Sequence, residues 1–136
     1  MFLGENELKL EHIALASNSE VESDKFFMDL FGLEKIRSFT VSDDKMRQFF
    51  NVSEAHNFIR YEKNELSVEV IITSTADKVK DKFTHTCIIV EDGVKLIEKA
   101  KAMGYDTIKV PRDEKKGFYL FLKDPFGNLF EIKGIS

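Results

Sequence analysis

Four side chains with the chemistry of metal ligands stand in strand-like surroundings: His12, Glu69, His85 and Glu131. Glu131 lies in the apolar run Leu129-Phe130-Glu131-Ile132, and Glu69 lies among β-branched residues in Val68-Glu69-Val70-Ile71-Ile72. A carboxylate in such a run is costly unless it is exposed, paired or bound to a metal. Imidazole nitrogens and carboxylate oxygens are the usual ligands of Zn, Ni, Fe, Co and Mn. One divalent cation between the two glutamates makes them tolerable in an apolar cup. Coordination positions left to water or substrate are what a catalytic metal requires. Taken singly, each residue has a plainer reading. A strand histidine is commonly a hydrogen-bonded structural residue, and a glutamate alternating with apolar neighbours fits the solvated face of an antiparallel sheet.

The elements that must position these residues come in two matching sets. Leu8 to Ala16 alternates around His12 and reads as a strand, with His12, Ala14 and Ala16 on one face. Asn18 or Ser19 caps a helix over Glu20 to Phe31, ended by Gly32. Leu33 to Val41 is a strand, Ser42 opens a short helical turn with Met46, Phe49 and Phe50, and Asn57 to Glu62 is a third strand. The turn Lys63-Asn64-Glu65 leads to the strand Leu66 to Thr73. After the polar linker 74–82 the pattern restarts. Phe83 to Val90 is a strand bearing His85, Asp92 or Gly93 opens a helix through Met103 that ends at Gly104, and Tyr105 to Pro111 is a strand. Phe118 to Ile132 reads as strand, tight turn and strand. Pro125 pre-sets the turn, and Gly127 and Asn128 tolerate positive φ.

His12 precedes Gly32 by the same interval as His85 precedes Gly104, to within one residue. The longer interval from His12 to Glu69 than from His85 to Glu131 is accounted for by the short helix near Met46. This is an internal repeat of two βαβββ units, in which two small sheets complete each other. Residues 1–136 then form one domain, with module 1 over 8–73 and module 2 over 83–133. At repeated positions, the two histidines and two glutamates amount to a candidate site for one ion.

Composition narrows the function classes. The chain of 136 residues is 43% hydrophobic and 32% charged, ordinary for a globular protein. Net charge is -4, and the signs are mixed along the chain, so no basic footprint for nucleic acid exists. No apolar run is long enough to span a membrane. The short acidic segment Met1 to Glu7 has no signal-peptide pattern, which points to a cytoplasmic protein. The single cysteine, Cys87, reads as a buried, reduced core thiol. His56 falls in a polar loop without a role. Lys109, Arg112, Lys115 and Lys116 form a basic loop region within reach of an anionic substrate, and Arg60 and Tyr61 are placed to line a cup.

The chain resembles the vicinal oxygen chelate superfamily, the glyoxalase I, bleomycin-resistance and extradiol-dioxygenase group. The residues that carry the resemblance are Leu10 to Leu15, Phe31-Gly32-Leu33, His85 to Val90 and, most specifically, Asp124-Pro125-Phe126-Gly127-Asn128-Leu129-Phe130-Glu131-Ile132. The resemblance implies an α+β fold of paired βαβββ modules in a partly open, eight-stranded barrel-like cup, commonly in a homodimer. It also implies one divalent metal ion (Zn, Ni, Co, Fe or Mn) and a small-molecule substrate.

By position, His12, Glu69, His85 and Glu131 match the four ligands of the glyoxalase-I branch. In that branch a glutamate of the set also moves a proton between adjacent carbons. Glu131 is then the expected base and Glu69 its partner across the ion. The implied activity is a lyase or isomerase reaction like that of lactoylglutathione lyase. The arginine with which glutathione-using relatives follow the first histidine is replaced here by Ala14 and Ala16, so the glutathione carrier is not implied. Methylmalonyl-CoA-type epimerases also resemble the chain but have glutamine at the place of Glu69. Extradiol dioxygenases and fosfomycin-modifying enzymes need only His12, His85 and Glu131. Bleomycin-type binding proteins keep the fold without the ligands, and a non-catalytic binding protein is the alternative from another class.

Overall fold

The computed structural model describes residues 7–113 and 116–135. The first module comprises β1 (Ile13–Ser17), α1 (Glu20–Asp24) continuing into a π-helical turn (Lys25–Leu30), β2 (Glu34–Val41), α2 (Asp43–Phe50), β3 (His56–Lys63) and β4 (Leu66–Ile72). The second comprises β5 (His85–Val90), α3 (Gly93–Ala102), β6 (Thr107–Pro111), β7 (Phe118–Lys123) and β8 (Leu129–Gly134). The strand orders are β1-β4-β3-β2 and β5-β8-β7-β6, the same topology twice. In each sheet the first strand lies parallel to the last, and the other pairings are antiparallel. The eight strands form two four-stranded sheets and no closed barrel, as two tandem βαβββ modules require.

Local chemistry explains the punctuation. The Ser19 side chain accepts from the Glu22 amide, Ser42 from Lys45 and Asp92 from Lys95, so each α-helix starts on a side-chain cap. Gly32 takes φ +76° where the π turn ends, and Gly127 takes φ +96° in the β7–β8 turn. In that turn Asp124 accepts from the amides of Phe126 and Asn128 and from the Asn128 side chain. Burial pushes the Asp124 carboxyl above its ordinary range, against the opposing pull of these donors.

Some boundaries move. Strand β1 starts at Ile13, not Leu8. Leu8 and Leu10 are exposed, and alternation alone does not make a strand without a partner to pair with. Strand β5 starts at His85, leaving Phe83 outside and exposed. His56 is not in a loop but opens β3 opposite Val41. Cys87 is not a core residue: it is exposed, because its parity with His85 puts it on the open face of β5.

One apolar core joins the modules. It contains Ile59, Tyr61, Val68 and Val70 of the first sheet and Leu120, Leu122, Phe130 and Ile132 of the second. The π turn supplies the seam. Phe26 is fully buried, with ring centroids 5.3 Å from Phe130 and 5.2 Å from Tyr105, while Phe27 lies 5.2 Å from Tyr61. Helix α3 packs so closely on the second sheet that a Cβ on Gly93 would lie 2.8 Å from Leu120 Cδ1. Under the first sheet, the buried Tyr61 hydroxyl donates to Asp24 at 2.7 Å, and Lys35 Nζ reaches Asp24 and Glu20 at 2.9 Å.

Truncating Phe26 to Ala is expected to cost about 3–5 kcal/mol, because it opens a cavity at the seam that both modules share. Denaturant unfolding measures this. Hydrogen bonds to Asp24 and Glu20 raise the Lys35 pKa, while desolvation and the Asp24 bond raise that of Tyr61. Groups with raised folded-state values lend stability that is complete below their ordinary pKa and is lost as pH climbs through the raised one. Stability should therefore hold through neutral pH and fall above about pH 10. The Tyr61→Phe variant should be less stable at pH 7 and show a shallower alkaline fall in chemical denaturation.

Candidate metal centre

The four candidate ligands fall into two pairs, one per sheet. His12 Nε2 lies 3.7 Å from Glu69 Oε1, and His85 Nε2 lies 3.4 Å from Glu131 Oε1. The parallel pairings β1–β4 and β5–β8 create both, since each brings the histidine-bearing end of the module's first strand beside its last. Alternation then fixes the faces. Val68 and Val70 point into the shared core and Glu69 away from it; Phe130 and Ile132 point in and Glu131 away. The two pairs do not converge within one chain: among the described residues no three or more His, Cys, Asp and Glu side chains are grouped so that they could hold a metal ion.

The tautomers suit ligation. His85 Nδ1 lies 2.8 Å from the Phe83 carbonyl, and His12 Nδ1 is held by the Glu11 carboxylate. A carbonyl or carboxylate acceptor at Nδ1 keeps the proton there and leaves the Nε2 lone pair free, the arrangement metal-binding histidines commonly have. An ion with bonds of about 2.1 Å holds neighbouring donors about 3.0–3.5 Å apart. The His85–Glu131 pair is within that span and the His12–Glu69 pair just beyond it. The donor set, two imidazoles and two carboxylates, fits a divalent transition ion. Without an ion, the same contacts are simple histidine–glutamate pairs.

The first half-site contains Arg60, which the sequence placed in a cup lining without naming its partners, and Glu11, which alternation put on the other face. Arg60 sits opposite Glu69 on β3 and donates to both oxygens of Glu11 at 2.7 Å, to Ser67 at 2.6 Å, to Glu62 at 3.2 Å and to Glu69 at 3.3 Å. The bonds to His12 and Arg60 hold the Glu11 carboxyl below the usual range. Glu11 was obscured because alternation from Leu8 placed it on the face opposite His12, whereas the strand begins only at Ile13. The contact of Arg60 with Glu69 was obscured by the turn. A two-residue turn at Asn64 and Glu65 pairs Lys63 with Leu66, and that register puts Arg60 opposite Glu69. Reading Lys63 as part of the turn shifts the register and loses the contact. Tyr61 points to the core instead of lining a cup.

The rest of the open faces is mixed. Phe39 and Phe58 pair at 5.5 Å next to the Arg37–Arg60 rung, with Phe50 of α2 6.5 Å from Phe58, so the first half-site has an aromatic flank. On the second sheet Cys87 lies beside Glu131 in register. Desolvation and that carboxylate raise its thiol pKa. Arg112 and Lys109 stack on Tyr119 and Phe118, and Lys115 lies outside the described residues. Two concavities lie elsewhere. One of about 980 Å³ runs between the β3–β4 hairpin and the start of α3, and one of about 530 Å³ lies under the linker near Asp124. Neither is lined by any of the four candidate ligands.

The whole arrangement has known counterparts. The sequence profile of the glyoxalase/bleomycin resistance protein/dioxygenase superfamily matches residues 9–132. No curated protein matches the sequence. Among solved structures, a glyoxalase family protein from Bacillus cereus is similar at a TM-score of 0.74 with 14% identity, covering 96% of this chain and 97% of that one. The fosfomycin resistance protein FosX from Listeria monocytogenes (hexagonal form) is similar at 0.71 with 16% identity, covering 96% and 95%. A point variant of FosX, solved with Mn(II) and 1S,2S-dihydroxypropylphosphonic acid, is similar at 0.68 with 18% identity, covering 94% and 90%. Repeated topology, paired half-sites and a profile match over nearly the whole length lead to one assignment: the chain belongs to the glyoxalase/bleomycin resistance protein/dioxygenase superfamily.

Proposed function

We propose that the protein is a metal-dependent lyase or isomerase of the glyoxalase-I type, moving a proton next to a carbonyl of a small substrate. The observation that carries this reading is the duplicated His–Glu pair, with Nδ1 of each histidine engaged and Nε2 turned to a glutamate. His12, Glu69, His85 and Glu131 would hold one divalent ion. When bound, such an ion supplies Lewis acidity toward a substrate oxygen that gains negative charge. Glu131 is the residue for the proton. Its carboxylate is partly exposed on an open face, its ion-pair partner among the described residues is His85, and no arginine ties its second oxygen. It can take a proton from carbon and return it to the neighbouring carbon. The rings of Phe39 and Phe58 exclude water on one side, and Arg37 beside them suits a substrate with an anionic end.

The ion site is completed by a second copy of the chain in this reading. The half-site faces turn away from the shared core, and β1 and β5 are each hydrogen-bonded on one side only. Ile89, Ile108, Val110 and Tyr119 are exposed on the open face of the second sheet. A homodimer in which module 1 of one copy faces module 2 of the other buries these residues, covers the strand edges and brings His12 and Glu69 to the partner's His85 and the partner's Glu131.

Two measurements test this. Elemental analysis of protein purified without chelators should find about one Zn, Ni, Co, Fe or Mn per chain. The Glu131→Gln variant should hold less metal and lose proton-transfer activity by at least about 100-fold on hemithioacetals or acyl-CoA epimers. Absence of metal after reconstitution, or ligand binding that survives chelation unchanged, would place the chain with the binding proteins instead. Mixing a His12→Ala/Glu69→Ala chain with a His85→Ala/Glu131→Ala chain should restore metal binding that neither has alone, since exchange of subunits regenerates one intact site. No restoration, with heterodimers shown to form, would contradict the shared site.

A further inference from the structure

We propose that Arg60 is the positioning residue of the first half-site, holding His12 and Glu69 in ligand geometry from the two ends of one chain of hydrogen bonds, His12–Glu11–Arg60–Glu69. The inference rests on the metal-site reading above and deepens it. The Arg60 side chain is 9% exposed and sits centrally in the first sheet, between β2 and β4. Its Nη2 meets both oxygens of Glu11, and the Oε1 of that carboxylate holds His12 Nδ1. Its Nη1 meets Glu69 Oε2, leaving Oε1 turned to His12 Nε2. Its Nε is fixed by Ser67 and Glu62. Thus one guanidinium sets the tautomer of the imidazole and selects which glutamate oxygen is offered. An arginine is suited to this because its donors form a rigid planar fork that does not titrate.

The second module shows what the half-site looks like without such a residue. Phe121 stands opposite Glu131 as Arg60 stands opposite Glu69, and its ring lies edge-on to His85 at 5.9 Å. His85 is oriented by a backbone carbonyl instead of a carboxylate. The two half-sites therefore differ in kind. The first is clamped by charge, with one oxygen of Glu69 committed to Arg60. The second leaves Glu131 the freer glutamate.

Coulomb repulsion and positioning make opposite demands, which gives the test its sign. If Arg60 acted on a bound cation only through its charge, removing it would tighten metal binding. If it positions the ligands, removing it loosens binding, by about 10- to 100-fold for an outer-shell partner. Mn(II) titration calorimetry on the wild type, Arg60→Met and Arg60→Lys tests this directly. The expected order is wild type tightest, Arg60→Lys intermediate and Arg60→Met weakest. Nitrogen-15 imidazole spectra of the metal-free proteins at alkaline pH provide the second readout. His12 should be the Nδ1–H tautomer in the wild type and a mixture in Arg60→Met, with His85 unchanged. Equal or tighter Mn(II) binding by Arg60→Met, or an unchanged His12 tautomer, overturns the proposal. Should Arg60→Met fail to fold, Glu11→Ala cuts the same chain of hydrogen bonds at a side chain that is 74% exposed and must give the same tautomer change. A wild type that binds none of Mn(II), Zn(II), Co(II) and Ni(II) defeats the metal reading, and the tautomer comparison still decides the role of Arg60.

Discussion

Phe26 and Phe27 leave the first helix as a ridge of rings that Phe130 and Tyr105 of the second module receive. That contact decides which face of each sheet is buried. A four-stranded sheet with one helical covering cannot hide both faces. Here both sheets turn the same kind of face, Val68 and Val70 or Phe130 and Ile132, toward the rings. By alternation, Glu69 and Glu131 then lie on the faces that remain open. The packing that stabilises the chain and the exposure of its candidate ligands follow from one choice. The π-helical turn matters because it spans Lys25 to Leu30 and directs Phe26, Phe27 and Leu30 inward together.

The open faces bring an electrostatic demand that the two modules meet differently. In the first, Arg60 compensates three carboxylates, Glu11, Glu62 and Glu69, inside a sheet. A buried arginine without such partners would be strongly destabilising. In the second, Glu131 has a histidine and an aromatic neighbour. Duplication of the backbone has thus been kept while the chemistry of the halves diverged. If one ion joins the two halves as proposed, a clamped and a free carboxylate on its two sides would suit a base-plus-anchor mechanism.

Much of this was legible in the residues because two independent periodicities agreed. The period-two alternation around Glu69 and Glu131 located the strands and their faces. The recurrence of histidine, helix and glycine located the repeat, and the topology repeats as the spacing does. The turn Asp124–Asn128 was readable from Pro125 and from Gly127, which takes the positive φ, whereas the part of Asp124 in holding the free amides emerged only from the structure. What was not legible depends on register and partner. Alternation ran on to Leu8 in a segment with no pairing strand. Cys87 looked like core because it stands in the apolar run Cys87-Ile88-Ile89-Val90, and composition does not say which face is covered. The Arg60–Glu69 contact hung on whether Lys63 belongs to the strand or the turn. The distance between the two half-sites was beyond sequence altogether, since it follows from how the rings of Phe26 and Phe130 meet.

In the proposed dimer, His12 and His85, apart in one chain, would serve the same ion through two copies. X-ray absorption spectroscopy on protein reconstituted with one equivalent of Co(II) or Ni(II) addresses it most directly, because imidazole rings give a distinctive outer-shell scattering that can be counted. The account predicts two imidazoles per ion in the wild type and one in either His12→Ala or His85→Ala. A single imidazole per ion in the wild type would contradict it.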